Sequence, residues 1–257
     1  SVTGCGSYVG GLVGWNLAGS GGTASLSNSF WDVDTTGQAI HVGVNDGGTI
    51  TNVLGLSGDA PYTQSTYAAA GWNFGAGGAW VMIDGETRPF LRSEYTTSIT
   101  NAHQLQLVQM NPAASYTLAS DIDMSELSNP SGMWRTSARP DASGGYGFVP
   151  LGTNGRGSVV GNGFTGTFDG QGHVVDGLII NRPNADLIGL FGYAQNATIR
   201  NVGLTDVDIT GRNYVGGLVG YSVASGTGAT ASITQAYATG TVRGSNLVGG
   251  LVGMNYA

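Results

Sequence analysis

Short runs that alternate apolar and polar residues recur along the chain, and Gly or Asn separates them. In Val207-Asp208-Ile209 the alternation puts Val and Ile on one face and Asp on the other, the period-two signature of a half-buried strand. Four segments repeat one another more closely. They are Tyr8-Val-Gly-Gly-Leu-Val-Gly14, Asp186-Leu-Ile-Gly-Leu-Phe-Gly192, Tyr214-Val-Gly-Gly-Leu-Val-Gly220 and Leu247-Val-Gly-Gly-Leu-Val-Gly253. Their closing glycines lie 28 residues apart (192 to 220) and 33 apart (220 to 253), a period expected of solenoids and other repeat arrays. A second block follows each: Ala24-Ser-Leu-Ser-Asn28, Ala197-Thr-Ile-Arg-Asn201 and Ala231-Ser-Ile-Thr-Gln235, with Gly48-Thr-Ile-Thr-Asn52 as a looser copy. A third short run ends in Gly, as in Val207-Asp-Ile-Thr-Gly211.

Three short strands per unit predict an all-β fold: a right-handed, single-stranded parallel β-helix, or β-solenoid, with one short helix and an irregular insertion. Parallel crossovers are right-handed in about 98% of cases, and stacked coils about 4.8 Å apart would pile like residues on like. Val215 and Leu218 are three apart, so a straight strand would send them to opposite faces. A bend at Gly216-Gly217, where Gly accepts φ > 0, lets both point inward. The first and last Gly-Leu-Val-Gly blocks are 239 residues apart (14 to 253), which predicts a long super-repeat.

The pattern divides the chain into four parts. Residues 1–37 read as end coils of one repeat section and 38–95 as an irregular Gly/Trp-rich interval. Residues 96–150 form a cap-like helix, strand and loop, and 151–257 the next coils. Caps of this kind hide the terminal apolar face of a repeat array. The helix is expected over 100–110, with Thr100 or Asn101 as cap and Pro112 beyond its end. Tyr116-Thr-Leu118 and Ile122 read as strand, and 125–147 as a surface loop with Pro130, Pro140 and Gly144-Gly145.

Composition sharpens this. Glycine supplies 46 of 257 residues without a G-X-Y period, which excludes collagen. Apolar residues are 40% and charged residues only 10%, so polar uncharged side chains must cover the surface. The net charge is −7 and there is no lysine, so nucleic acid is excluded as an expected partner. No run reaches the roughly 18 apolar residues of a membrane-spanning helix, so membrane insertion is not expected. A single cysteine, Cys5, can form no internal disulfide. No signal peptide is legible at Ser1, and both ends lie within the repeat pattern, which predicts a piece of a longer chain.

The Gly-Gly-Leu-Val-Gly blocks resemble the GLUG motif, found in large bacterial surface proteins related to filamentous haemagglutinin and in the stalks of some immunoglobulin A peptidases. Tyr116-Thr-Leu-Ala-Ser-Asp-Ile-Asp-Met124, Phe148-Val-Pro-Leu-Gly152 and Phe164-Thr-Gly-Thr-Phe-Asp-Gly-Gln-Gly-His173 look like the lead-in to such coils, and Phe30-Trp-Asp-Val-Asp-Thr-Thr-Gly37 like the exit from a previous set. The likeness covers roughly 1–37 and 96–257. It implies a secreted, extracellular or cell-surface location and a role in adhesion, aggregation or biofilm. The partners it implies are a host or bacterial surface glycan or protein, extracellular polysaccharide, or the chain itself.

No catalytic residue, cofactor site or metal site is expected, and no ligand is identified. Gly161-Asn-Gly-Phe-Thr-Gly166 fits G-x-G-x-x-G, but the following Thr167-Phe168-Asp169-Gly170 reads as a turn rather than the helix a dinucleotide needs. Asp32-Val-Asp34-Thr-Thr36 and Asp206-Val-Asp208-Ile-Thr210 begin like calcium loops, yet position twelve is Gly43 and Gly217 instead of Glu. A weak calcium site outside that scheme stays open near Asp121 and Asp123. The alternatives to a scaffold are a β-helix polysaccharide lyase or hydrolase, which needs a carboxylate pair, and the stalk of a peptidase. Asp169 reads as a turn residue, and His41, His103 and His173 share no ligand spacing. Tyr67, Trp72, Phe74 and Trp80 read as a satellite core under a loop, with sugar stacking as the alternative. Asn196-Ala-Thr198 fits a glycosylation sequon.

Overall fold

The computed structural model describes residues 1–137 and 146–256. Strand is the main regular element, as an all-β chain requires. The chain forms two compact units, Ser1–Pro89 and Phe90–Ala257, divided inside the interval 38–95.

In the second unit the strand Thr198–Thr210 is the spine. On one side it pairs in parallel with Ser232–Arg243, and on the other with Thr167–Asp169, Val174–Asp176 and Ile179–Asn181. The registers stack like on like: Phe168, Ile199 and Ile233; Val175, Leu204 and Ala238; Ile180, Ile209 and Val242. The first two columns continue upstream to Tyr116 and Ile122. A second parallel ladder joins Phe191–Gln195, Val219–Val223 and Val252–Tyr256, and a third joins Asn213–Gly216 to Asn246–Gly249. Parallel strands buried on the inner face need apolar columns. Phe168, Leu204, Ile209, Val215 and Leu218 are accordingly all fully buried.

Val215 and Leu218 both point inward, but the bend has a different origin from the one the sequence predicts. The left-handed residue is Tyr214 (φ 55°), with Leu187 (62°) and Leu247 (53°) at the equivalent corners. At the middle of these corners the Tyr214 ring stacks on Tyr221 at 5.4 Å and 17°. Gly217 is needed for space instead, since a Cβ there would lie 2.5 Å from the Gly250 carbonyl oxygen. A second left-handed corner repeats at Gln171, Asn201 and Gln235, and at Asn28 and Asn52 (φ 49° to 55°), a conformation Asn tolerates well.

The helix appears as Ala102–Gln106, continued by a 3-10 turn Leu107–Met110. Asn101 caps it, its side chain accepting from the Gln104 N–H. Leu105 and Val108 are buried, while Gln106 and Gln109 reach toward 149–153. Of the expected loop 125–147, Ser125–Ser128 is a 3-10 turn and Tyr146–Gly147 an antiparallel partner of Ile179–Asn181. Pro140 and Gly144-Gly145 lie outside the described residues. Thr167–Asp169, expected as a turn, is a strand, because Phe168 fills the inner column between Tyr116 and Ile199.

In the first unit Val13–Leu17 pairs in parallel with Val42–Asp46, and Ser25–Asp32 with Thr49–Leu56. The repeating pairings therefore extend through Leu56, into the interval read as irregular. Beyond it, Tyr67 and Trp72 pack on Phe30, and Trp80 on Trp72, as a satellite core. Trp72 stacks on Trp80 (3.9 Å, 17°), meets Phe30 edge-on (5.5 Å) and donates its indole N–H to the Asn28 carbonyl at 2.9 Å. Burial pushes the Tyr67 phenol up to about 12. Trp72→Ala should destabilise the first unit by about 2–3 kcal/mol, read as a lower melting point by circular dichroism.

Candidate interaction surface

Outward positions of the ladders carry the acids, and most are held by a cation or a turn. Asp169 accepts from Arg200 Nε (2.8 Å), from the Asn201 amide (2.9 Å) and from the Gln171 N–H (3.0 Å). Asp186 takes both Arg212 Nε and Nη2 at 2.8 Å, and Asp208 takes Arg243 at 2.6 Å. Each of these arginines sits one repeat further along the chain, so the pairs tie successive repeats together.

The calcium-loop mimics are occupied in the same way. Asp32 caps the turn Val33–Thr36, accepting from the Thr35 N–H, and pairs with Arg88. Asp34 accepts from the Gly58 N–H, and Asp206 sits in the left-handed region. Asp121 accepts from His173 Nδ1 and the Val174 N–H, and Asp123 from the Ser125 N–H. Among the described residues no three His, Cys, Asp or Glu are grouped to hold a metal ion.

The three histidines are apart. His41 lies near the Trp31 ring (6.0 Å between centroids), and His173 bonds Asp121. His103 lies between two carboxylates, Nδ1 on Glu94 at 2.8 Å and Nε2 on Glu126 at 2.9 Å. The second oxygens of those carboxylates accept from the Leu91 and Met133 N–H groups. Phe90 and Trp134 meet the ring edge-on. The cluster pins three segments together; nothing in the local spacing of Glu94, His103 and Glu126 announces it. Cys5 is exposed. Asn196 is left-handed, and its amide both donates to and accepts from the Ser225 backbone.

One shallow groove follows the second left-handed corner across three successive repeats. Gln171, Asn201 and Gln235 line it with Tyr237, and it encloses about 430 Å³. Tyr237 is half exposed, and its ring lies over Gly203, where any Cβ would overlap it. Amides that donate and accept, beside an aromatic ring, offer uncharged contacts without a reactive group. The recurring Asn or Gln after Ala-Ser-Ile or Ala-Thr-Ile was the legible signal for this line; Gln171 follows no such block.

Charge state ties this face to stability. The paired Arg212 guanidinium holds the Asp186 carboxyl below the usual range. At Asp169 burial pushes upward, but the bonds from Asn201, the Gln171 N–H and Arg200 outweigh it and the net shift is downward. Carboxyls lowered in the folded state stabilise it above their unfolded value, about 3.9, and lose that contribution as pH falls through the folded values. The melting point of the second unit should therefore be level from pH 7 to about 5 and fall below about 4. Asp186→Asn should lower the plateau and flatten part of the fall; an unaltered acid limb would contradict this.

No helix among the described residues is long and apolar enough to cross a membrane. The GLUG motif model matches residues 211–243, the stretch holding Asn213–Gly216, Val219–Val223 and Ser232–Arg243. The chain is similar to halomucin of Haloquadratum walsbyi, 34% identical over 245 residues, covering 90% of this chain and 2% of halomucin. It is also similar to a putative Gly-rich membrane protein of Evansella cellulosilytica, 33% identical over 96 residues, covering 37% of this chain and 9% of that protein. The chain thus spans a small fraction of the length of these curated relatives. No solved structure matches it.

Proposed function

We propose that this chain is a structural and adhesive segment of a large exported surface protein. In this reading it is a right-handed parallel β-solenoid that extends from the cell and makes weak, repeated contacts through its polar faces. The observation that carries the reading is the in-register parallel stacking of coils 28 to 34 residues apart, with outward Asp residues tied to arginines of the next coil. The GLUG match and the relatives named halomucin and Gly-rich membrane protein support an extracellular or cell-surface location. The segment has no catalytic role. Its partners are surface glycans or proteins, extracellular polysaccharide or further copies of itself, and avidity rises with copy number.

An in-frame deletion of residues 1–257 from the full protein, on the cells that carry it, tests the role. Loss of adhesion or aggregation at unchanged surface abundance is expected. Adhesion and aggregation equal to those of the undeleted protein would overturn it. An experimental structure showing left-handed coils would overturn the solenoid's hand.

A further inference from the structure

The two units carry one coil in common. Tyr8-Val-Gly-Gly-Leu-Val-Gly-Trp-Asn-Leu-Ala18 and Leu247-Val-Gly-Gly-Leu-Val-Gly-Met-Asn-Tyr-Ala257 are identical at eight of eleven positions. Their strands, Val13–Leu17 and Val252–Tyr256, occupy the same places in the two segments. Each is paired on one edge, and the edges differ. Val252–Tyr256 pairs with the preceding coil: Val219↔Val252, Tyr221↔Met254, Ser222↔Asn255, Val223↔Tyr256. Val13–Leu17 pairs with the following coil: Val13↔Val42, Trp15↔Val44, Asn16↔Asn45, Leu17↔Asp46. The spacing of partners is the same in both. The edge that Val252–Tyr256 leaves unpaired is therefore the edge on which Val13–Leu17 already carries Val42–Asp46.

The neighbouring strands agree. Ser232–Arg243 pairs with the preceding coil and Ser25–Asp32 with the following one, and in both ladders the pairing skips the left-handed residue, Gln235 (φ 50°) or Asn28 (φ 49°). Laid in phase, Leu26 falls on Ile233 and Phe30 on Tyr237. On the receiving side Tyr237 is 49% exposed and Val248, in the adjoining strand Asn246–Gly249, 43%, whereas Val215, the partner of Val248, is 0% exposed.

We infer that the edge formed by Ser232–Arg243 and Val252–Tyr256 is a docking face for the first unit of a second copy of this chain, joined so that residue 19 of the second follows residue 257 of the first. The inference rests on the solenoid reading above. It adds the register, the occupant and a steric marker. A Cβ at Gly250 meets nothing within 4 Å, whereas one at its counterpart Gly11 overlaps the indole of Trp31. In the joined state Trp31 of the second copy covers Gly250.

Hydrogen exchange on three proteins tests this: the chain itself, a tandem of 1–257 followed directly by 19–257, and a tandem of 1–257 followed by 90–257. In the first tandem the amides of Ser232–Arg243 and Val252–Tyr256 of the leading copy should exchange at least about tenfold more slowly than in the single chain. The second tandem should give no such gain. Gly250→Ala should leave the single chain unchanged and abolish the gain in the first tandem. Equal exchange in the single chain and the first tandem would overturn the inference, as would equal gains in both tandems or a Gly250→Ala effect of the same size in both backgrounds. Protection of Thr198–Thr210 in the single chain reports on the stack itself, so a failure of the solenoid reading would show there separately.

Discussion

Gly220→Ala should lower the stability of the second unit by about 3–5 kcal/mol, among the largest effects of any single methyl group in this chain. A Cβ on Gly220 would lie 2.7 Å from the Ile188 nitrogen, 2.7 Å from the Tyr214 oxygen and 2.8 Å from the Gly192 oxygen. All three are backbone atoms, so no rotamer change can make room. Gly253 repeats the arrangement one coil on, its Cβ position 2.6 Å from the Val215 nitrogen and 2.7 Å from the Gly220 oxygen. Gly192, Gly220 and Gly253 thus form a column in which each lies against the next. A methyl group forces the stacked repeats apart where the Ile188 N–H bonds the Tyr214 carbonyl at 3.0 Å and the Gly216 N–H bonds the Ile188 carbonyl at 2.9 Å. Gly220 is not among the left-handed residues, so the cost is steric. Gly250→Ala in the same motif is the control and should stay within about 0.5 kcal/mol, because its Cβ meets nothing. Urea unfolding at constant slope reads both; equal midpoints for the two variants would refute the column.

The strands were legible because their signals are local. Alternation in Val207-Asp208-Ile209 put Val207 and Ile209 inside and Asp208 outside, as found. Asn101 and Pro112 bracket the helical segment that forms. The spacing of Val215 and Leu218 predicts that both face inward, as they do, but Tyr214 and not a glycine takes the left-handed corner. Glycine is the usual residue for positive φ, but Leu187, Tyr214 and Leu247 take that conformation here, and the glycines are spent on close approach between repeats. The strand at Val42–Asp46 has a weak sequence signal because Val42-Gly-Val-Asn keeps only part of the block. The groove beside Tyr237 and the Glu94–His103–Glu126 pin unite residues from different coils or segments. Glu94, His103 and Glu126 share no sequence period, and of the groove only Asn201 and Gln235 fall in a recurring block.

Gln106→Leu should destabilise the second unit by about 4 kcal/mol although the side chains are similar in volume. Gln106 is 1% exposed. Its amide nitrogen donates to the Val149 carbonyl at 3.0 Å, and its oxygen accepts from the Val149 N–H at 3.1 Å and the Trp134 indole N–H at 2.8 Å. The side chain engages both backbone groups of Val149, as a neighbouring strand would. One turn on, Gln109 bridges two successive residues, accepting from the Gly152 N–H at 2.9 Å and donating to the Thr153 carbonyl at 2.8 Å. Two amides of one helical segment thereby satisfy backbone that has left its regular ladder, the kind of cover an unpaired segment requires. Leucine would leave three buried groups without partners, each costing about 1–3 kcal/mol. Val149 and Trp134 are 0% exposed, so water cannot replace the amide. Gln109 is only half-buried, so Gln109→Leu should cost about 1–2 kcal/mol, with water taking up part of the loss. The Trp134 indole proton and the Val149 amide should also lose their exchange protection in Gln106→Leu alone. Equal destabilisation by the two substitutions, or retained protection at Val149, would mean that packing of the helix and not its amides secures this end of the fold.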